Sequence, residues 1–400
     1  MKSMKTILVL SVLVASAVFA SQDSDKKEYK NGYNDWKNKP IEKFSNPEAN
    51  FNKVKEMLLK SYFDSKITDE ALYEAATRGM LTALNPSAKD DWNKLYSPEE
   101  FKEFQVDAKG EVTGIGIEIK FNDETGTASI THVIPHSSAE KAQVKVGDQL
   151  VSINDKLSKG LQFRDLVYSI RGKVGESVKL KLLRGDEIVT KKITREKINW
   201  SPIETVSLDP RVALIKINYF NEKSSDLLKE ALQKVILEHV TSLIIDLRDD
   251  EGGLFDKSVE AASFFTPNGK TIARLESRDG SERKLSSTAE PLVKGISVAV
   301  LVSEKTSSGA ELFAGSLSET IGAKLIGMPT HGKWSAQTLE TLDNGFAVKF
   351  TTSVFKTPSG KSYAGVGLEP DVMVNLIHDE SESLKDEAVK TAYNLLVGHI

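Results

Sequence analysis

The sequence contains no cysteine, which excludes disulfide bonds, a thiol nucleophile and thiolate metal sites. Charge of one sign is not in excess either, since 53 basic and 57 acidic side chains give a formal net charge of -4. No long block of like charges occurs, so nothing indicates a nucleic-acid-binding surface. Beyond the N-terminus, no segment approaches the roughly 18 consecutive apolar residues of a membrane span, which predicts a soluble mature chain.

The N-terminus has the pattern of a secretory signal peptide. Lys2 and Lys5 precede an apolar stretch at 7–19, and Val18-Phe19-Ala20 supplies the small residues of a cleavage site. Because the stretch is short for a membrane span, we favour cleavage after Ala20 over an uncleaved anchor. No cysteine follows the site, which excludes a lipoprotein anchor. We therefore expect an exported protein, and a cysteine-free exported chain suits the bacterial periplasm.

The length of 400 residues predicts about two or three domains. After the signal peptide at 1–20, four segments differ in pattern. They are a polar leader with an N-terminal helical region (21–104), a block of short strands and glycine turns (105–196), an alternation of strands and helices (197–375) and a helical tail (376–400).

The first segment predicts helices. Thr68-Asp69-Glu70 starts the second of them, Asn85-Pro86 breaks it, and Ser97 before Pro98 is the N-cap of a third. The first helix is indicated by apolar residues at helical spacing: Phe51, Val54, Met57, Leu58 and Tyr62.

The block at 105–196 contains a glycine-flanked apolar loop, Gly114-Ile115-Gly116-Ile117, beside a predicted strand at 128–134 and a helix at about 162–170. Such a loop can hold a peptide's C-terminal carboxylate on its backbone N–H groups while the peptide adds to a sheet edge. The block resembles a PDZ domain, with Gly114 to Ile117 as the carboxylate-binding loop. Gln143 departs from the usual glycine, and the alternative is an unrelated small β-domain.

The segment at 197–375 predicts an α/β domain. A strand at 212–217 is followed by an amphipathic helix at 224–238, with Ser224 or Ser225 as its cap. A buried strand at 242–248 then ends in Asp249-Asp250-Glu251-Gly252-Gly253.

Ser308 is followed 25 residues later by Lys333, and each comes after an apolar run that predicts a buried strand, at 296–302 and 323–327. Small residues surround Ser308, which would leave its hydroxyl exposed on a strand-to-helix turn. A lysine beside such a serine can act as its general base. Alone this pair is a weak signal, because both residue types are common.

Four motifs in order make the chain resemble the C-terminal processing peptidases, also called tail-specific proteases, from about residue 50 to 375. They lie at 245–253, 306–311, 332–337 and 357–371. The resemblance implies an α/β catalytic domain of the ClpP/crotonase-like β/α arrangement with an inserted PDZ domain. It implies no cofactor and no metal.

The resemblance also implies the catalytic roles. Ser308 would form an acyl-enzyme, Lys333 would take its proton, and Gln337 would orient the lysine. Since a free lysine has a pKa near 10.4, burial must lower that pKa, and Trp334 would help to exclude water. If the segment were helical, Gln337 would share one side with Lys333.

The oxyanion of the reaction needs backbone N–H donors, and the candidates are Gly252, Gly253 and Gly309. Glycine lets the backbone approach the substrate closely. The plainer interpretation, that Gly252-Gly253 only forms a tight turn, is compatible with this role. Glu251 and His331 depart from the residues usual in the family.

Two other chemistries are weaker interpretations. His331 is two residues from Lys333 and could be the base instead, although the lysine matches the family and the histidine does not. Asp249 and Asp250 could suggest a metal site, but strand-end capping or a salt bridge is favoured.

These observations predict a secreted serine endopeptidase whose PDZ domain binds apolar C-terminal tails of protein substrates. The resemblance also implies regulation through the PDZ domain, which makes Arg171, just after the second PDZ helix, the predicted regulatory contact between the PDZ and protease domains. An adaptor or activator protein and a homo-oligomer are left open as partners. The alternatives are a PDZ-based tail sensor or scaffold with an inactive protease domain, and turnover of small esters on the same fold.

Overall fold

The computed structural model describes residues 5–7, 45–85, 92–122, 125–161, 163–198, 201–375 and 384–398. Most of the predicted signal peptide and almost all of the predicted leader lie outside these ranges. Within them, no helix has the length and apolar character that a membrane crossing requires.

The helices are α1 (Pro47–Ser61), α2 (Asp69–Ala83), α3 (Pro98–Ala108), α4 (Ser138–Lys141), α5 (Phe163–Ile170), α6 (Ser224–Leu237), α7 (Phe255–Ser263), α8 (Gly309–Ile321) and α9 (Glu387–Val397). The strands are β1 (Lys5–Ile7), β2 (Lys94–Tyr96), β3 (Val112–Gly114), β4 (Ile117–Asn122), β5 (Thr127–Val133), β6 (Gln149–Ile153), β7 (Lys156–Leu157), β8 (Ser177–Arg184), β9 (Glu187–Thr194), β10 (Glu196–Ile198), β11 (Ile203–Asp209), β12 (Val212–Ile217), β13 (Ser242–Asp246), β14 (Thr271–Ser277), β15 (Glu282–Ser286), β16 (Ser297–Val302), β17 (Lys324–Gly327), β18 (Ser335–Thr341), β19 (Ala347–Lys356) and β20 (Val372–Met373).

Helices α2 and α3 start where the sequence predicts. The Thr68 hydroxyl accepts the Ala71 N–H at the start of α2, and Ser97 forms a capping box with Glu100 at the start of α3. The apolar stripe of α1, however, buries no residue: Met57, for example, is 60% exposed. The helix is therefore amphipathic, as predicted, without a covered apolar face.

The small β-domain is built on the strand order β1-β4-β5-β6-β8-β9, with β7 paired to β6. Buried residues of β4 and β8 alternate with half-buried ones and pack against α5. The short strand β1 pairs with the outer edge of β4, while β3 and β10 form a separate two-stranded sheet that closes the domain.

The larger domain contains a sheet with the order β11-β12-β13-β16-β17-β20, parallel except for the β11–β12 pair. Its central strands are buried on both faces, which is why their sequences are continuous apolar runs. Helices α6, α7 and α8 cover one face, and α9 covers the other through Ala388, Val389 and Ala392. The polar loops at the carboxyl ends of β13 and β16 therefore lie side by side.

A second sheet, β15-β14-β19-β18, carries the chain past Lys333. Strand β2 from the N-terminal region pairs with β19, and Asn93 accepts the Thr351 N–H at 2.8 Å. The N-terminal region thus contributes directly to the sheet beside the candidate site.

The C-terminal helix is fixed by Arg248. This guanidinium donates to both oxygens of Asp246 and, at 2.6 Å, to Asp386, which also caps the first turn of α9. Burial alone would lower the pKa of Arg248, but the two carboxylates raise it above its ordinary value. The arginine of the 245–253 motif is therefore a structural link between the sheet and the tail helix.

The predicted cap of the helix at 224–238 is wrong. Lys223 occupies the cap position, and Ser224 is already helical. The buried Ser224 hydroxyl accepts the Asn221 N–H at 2.7 Å and donates to the Tyr219 carbonyl at 2.8 Å. It holds the preceding turn, so the helix begins one residue earlier than a serine cap requires.

Candidate active site

Ser308 lies at the N-terminus of α8, in the turn that follows β16. Its backbone angles are φ 55° and ψ -119°, a region that non-glycine residues seldom adopt. Such strain persists only where the surrounding structure enforces it, and it is concentrated at functional sites. Ser308 is half-buried, so its side chain can still meet a substrate.

Glu311 enforces this turn. It is fully buried, and its Oε2 accepts the backbone N–H of Ser308 at 3.0 Å and that of Lys333 at 2.8 Å. Its Oε1 accepts the Gly332 N–H, the Thr330 hydroxyl and the Trp334 ring N–H. Burial raises the pKa of Glu311, and these hydrogen bonds oppose that rise. One carboxyl group thus fixes Lys333 relative to Ser308.

Lys333 lies in the extended loop before β18. Its Nζ is 5.4 Å from the centroid of the Trp92 ring, and both Trp92 and the adjacent Trp334 are buried. Trp334 also packs against Phe355, with ring centroids 4.9 Å apart. The half-buried Lys333 side chain therefore lies over Trp92, while the Trp334 ring packs against Phe355 and donates its N–H to Glu311. The exclusion of water from Lys333 by Trp334 stays a prediction.

Gln337 lies on β18, so the helical arrangement considered for it is wrong. Its Nε2 donates to the carbonyl and hydroxyl of Ser335 and to the hydroxyl of Thr351. Pairing with β19 holds the segment extended, with an irregular register between Ala336 and Gln337. The Gln337 amide is therefore held by the sheet, on the strand that follows Lys333 in the chain.

The glycine pair packs directly against the Ser308 turn. A Cβ on Gly252 would lie 2.9 Å from the Ser308 Cβ, and one on Gly253 only 2.1 Å from the Phe220 carbonyl oxygen. Their φ values of 99° and 136° also favour glycine. Glycine is therefore required at both positions by space and by backbone conformation.

The three predicted oxyanion donors differ in what they contact. The Gly252 N–H donates to Oδ1 of Asp250 at 2.7 Å and is engaged. The Gly252 carbonyl accepts the Phe220 N–H at 2.8 Å, and in a trans peptide the Gly253 N–H points the opposite way. Within the described ranges, neither the Gly253 nor the Gly309 N–H has an acceptor. These two remain the candidate donors.

The structure disfavours His331 as the general base. Burial, with the nearby charge of Lys333, lowers the pKa of His331 to about 4. Its imidazole is therefore neutral across the neutral pH range and a weak base. Asp249 forms the salt bridge that was favoured over a metal site, with Lys305 at 2.8 Å.

Arg171 makes a buried ion pair with Asp107 at the end of α3, at 3.0 Å. The next residue, Ala108, accepts the Glu222 N–H of the larger domain. Arg171 thus reaches the larger domain through α3. Burial raises the pKa of Asp107 to about 6, although Arg171 opposes the shift.

The predicted peptide loop joins β3 to β4. Ile115 is fully buried, and its carbonyl accepts the Ala139 N–H at the start of α4. In the part of the chain that the structure describes, the N–H groups of Ile115 and Gly116 have no acceptor. They can therefore receive a carboxylate.

Sequence reasoning missed Glu311, Asp107 and Tyr219. The serine-x-x-glutamate spacing of a capping box was a signal for Glu311, whereas no local pattern indicates the others. The Tyr219 ring lies against Gly253, with its Cζ 2.8 Å from a Cβ built there. Burial raises the Tyr219 pKa well above 10.0, so its phenol stays neutral.

Comparison with known proteins identifies the family. Residues 211–374 match the model of peptidase family S41, and 129–184 match a PDZ domain. A probable CtpA-like serine protease of Staphylococcus epidermidis is 32% identical over 358 residues, which cover 86% of this chain and 71% of that protein. This chain belongs to peptidase family S41. The predicted family is therefore confirmed.

Other S41 relatives agree. A probable CtpA-like serine protease of Staphylococcus aureus is 32% identical over 332 residues, 82% of this chain, and the chain spans 65% of that relative's length. Among solved structures, the photosystem II D1 C-terminal processing protease is 23% identical with a TM-score of 0.54, over 88% of this chain and 94% of that one. A putative S41 protease of Bacteroides fragilis gives 16% and 0.54, over 87% and 97%. These likenesses confirm the predicted fold class, an S41 peptidase fold with an inserted PDZ domain.

Proposed function

We propose that this chain is a secreted serine endopeptidase of the C-terminal processing type, with Ser308 as nucleophile and Lys333 as general base. The observation that carries the proposal is the strained Ser308 turn, tied to Lys333 through one oxygen of Glu311. A serine held in this conformation, with a lysine fixed close to it in the chain's fold, is an arrangement that can activate a hydroxyl.

In the proposed reaction, the Ser308 Oγ attacks the scissile carbonyl carbon and its proton passes to the neutral Lys333 amine. The oxyanion receives hydrogen bonds from the Gly253 and Gly309 N–H groups. Collapse breaks the peptide bond, the leaving amine takes the proton from Lys333, and Ser308 holds the acyl group. Water then attacks the ester with Lys333 again as base. The acyl–Oγ bond breaks, the new C-terminal acid leaves, and Lys333 returns the proton to the Ser308 Oγ. Gln337 helps to fix the lysine-bearing segment.

The PDZ domain is proposed to bind the C-terminal tail of the substrate. The tail would add to the outer edge of β4, with its carboxylate at the Ile115 and Gly116 N–H groups. Strand β1 pairs with that same edge. Cleavage of the signal peptide after Ala20 would remove β1 and leave the edge open for a tail.

The test uses the chain without residues 1–20 and an unfolded protein ending in apolar residues. The matched variants are Ser308→Ala, its neighbour Ser307→Ala, Lys333→Ala and the exposed Lys324→Ala. We expect cleavage to disappear in Ser308→Ala and Lys333→Ala and to persist in the other two. A charged tail on the same substrate should slow cleavage by wild type.

Unchanged cleavage by Ser308→Ala would overturn the proposal. Tail binding by wild type without any cleavage would favour the tail-sensor alternative. Cleavage that is indifferent to the tail would remove the PDZ part and leave the Ser308–Lys333 chemistry standing.

A further inference from the structure

Asp250 connects the two halves of the candidate site. It is fully buried, and its Oδ1 accepts the Gly252 N–H at 2.7 Å. Its backbone carbonyl accepts the Ser307 N–H at 3.1 Å, and its own N–H donates to the Leu247 carbonyl. One residue therefore contacts both the glycine pair and the nucleophile turn.

The other carboxyl oxygen of Asp250, Oδ2, is buried and has no hydrogen-bond partner among the described residues. The neighbouring ionisable groups do not supply a positive charge beside it. Glu251 is an acid, and the Tyr219 phenol is neutral.

The nearby cations are committed to other acids. Arg248 is bound by Asp246 and Asp386, and Lys305 by Asp249. An ionised Asp250 would therefore be a buried charge without a counterion, which is strongly unfavourable. Burial, with the charge of Glu251, raises the pKa of Asp250 well above its ordinary value, against the opposing Gly252 hydrogen bond.

We propose that Asp250 is a positioning residue of the protease site and that it acts as a neutral acid. This inference rests on the proposed function. The neutral carboxyl accepts the Gly252 N–H through Oδ1, while the Phe220 N–H holds the Gly252 carbonyl. The peptide between Gly252 and Gly253 is thereby fixed from both sides, with the Gly253 N–H directed away from Phe220 and available to the oxyanion.

Ionisation of Asp250 would disturb this arrangement. A buried carboxylate attracts further N–H donors, and those of Gly253 and Gly309, in the two loops that Asp250 contacts, have no acceptor among the described residues. These are the groups that the oxyanion needs. Activity should therefore rise with pH as Lys333 loses its proton and fall again at higher pH as Asp250 ionises.

The test compares Asp250→Asn with Asp250→Ala. The matched control is Asp249→Asn, at the preceding residue. Asparagine keeps the acceptor at Oδ1 and is neutral at every pH. We expect Asp250→Asn to keep the rising limb of kcat/KM and to lose the falling limb. Asp250→Ala should lower kcat by on the order of tenfold or more at all pH values, with little change in KM. Asp249→Asn should behave as wild type.

Three results would overturn the inference: the same falling limb in wild type and Asp250→Asn, equal impairment of the Asn and Ala variants, or an unimpaired Ala variant. If the Ala variant does not fold, the Asn profile alone decides. Ser308→Ala is measured in parallel. If that variant is inactive, such a failure concerns Asp250 alone, whereas an active Ser308→Ala would remove the proposed function itself.

Discussion

Ser308 and Lys333 donate their backbone N–H groups to the same carboxylate oxygen, Oε2 of Glu311, at 3.0 and 2.8 Å. The two nitrogens therefore cannot lie further apart than these two distances together. Glu311 lies in the first turn of α8, so the helix itself carries the carboxyl group that holds the lysine segment beside the nucleophile. This carboxyl group is buried, and its geometry is protected from water.

Glu311→Gln is predicted to lower kcat/KM by about a hundredfold and the free energy of unfolding by about 3 kcal/mol. The amide keeps one acceptor but turns an NH2 group towards N–H donors, and hydrogen bonds to a buried charged group contribute about 1.5–3 kcal/mol each. Cleavage kinetics and denaturant unfolding of the same preparation measure both effects.

Glu319→Gln is the matched control. It lies on the same helix, but its carboxylate is exposed and holds Ser359. We expect nearly wild-type kinetics from it. Equal losses in the two variants would show that Glu311 has no special role at the site.

Much of this geometry follows from local sequence. The apolar runs before Ser308 and Lys333 do form buried parallel strands, because strands covered on both faces need continuous apolar residues. The sequence predicts the Ser97 cap because its partner in the capping box, Glu100, is only three residues away.

The rest depends on contacts between distant segments. The helix considered for Gln337 does not form, because pairing with β19 makes this segment a strand. The residues around Gln337 do not by themselves indicate that pairing. The Asp107–Arg171 pair joins residues 64 positions apart, and no local pattern indicates it. Likewise, Asp250 could be read as a strand-end cap, but its burial beneath Gly252 follows only from the packed loops.

His331→Gln is predicted to retain kcat/KM within about threefold, with an unchanged pH profile between pH 6 and 8. The pKa of His331 is lowered to about 4 by burial and by Lys333, so the ring does not titrate in that interval. Kinetics across this range measure the effect, with Lys333→Ala as the inactive comparison. A profile governed by a group near pH 6.5 that vanishes in His331→Gln would identify the histidine as the base instead.

The stability of the chain should depend on pH through Asp107, whose pKa is raised from 3.8 to about 6. When folding raises the pKa of an acid, its contribution to stability is present below the pKa of the unfolded state. That contribution is lost as pH rises through the pKa of the folded state. Relative to Asp107→Asn, wild type should therefore lose about 3 kcal/mol of unfolding free energy between pH 4 and 7. Denaturant titrations at several pH values measure this difference.

Asp186→Asn, at an exposed position between β8 and β9 of the small β-domain, is the control and should show no such divergence. Arg171→Met adds a further check, because at pH 7.5 it leaves an ionised Asp107 without a counterion. It should cost more in wild type than in Asp107→Asn, by about 1–3 kcal/mol. Equal costs in both backgrounds would show that the ion pair does not couple the two residues.

Asp386→Ala is predicted to release α9 from the sheet and to lower the free energy of unfolding by about 3 kcal/mol. The substitution removes the cap of the first turn and leaves Arg248 with one of its two buried carboxylates. Denaturant unfolding and limited proteolysis near residue 387 report the loss. Glu387→Ala is the matched control, because that side chain is exposed in the same turn.

Since Arg248 lies in the motif that leads to Gly252, a released α9 should also loosen the loop and reduce kcat. An Asp386→Ala variant as stable as Glu387→Ala would show that the tail helix is held by its apolar contacts alone.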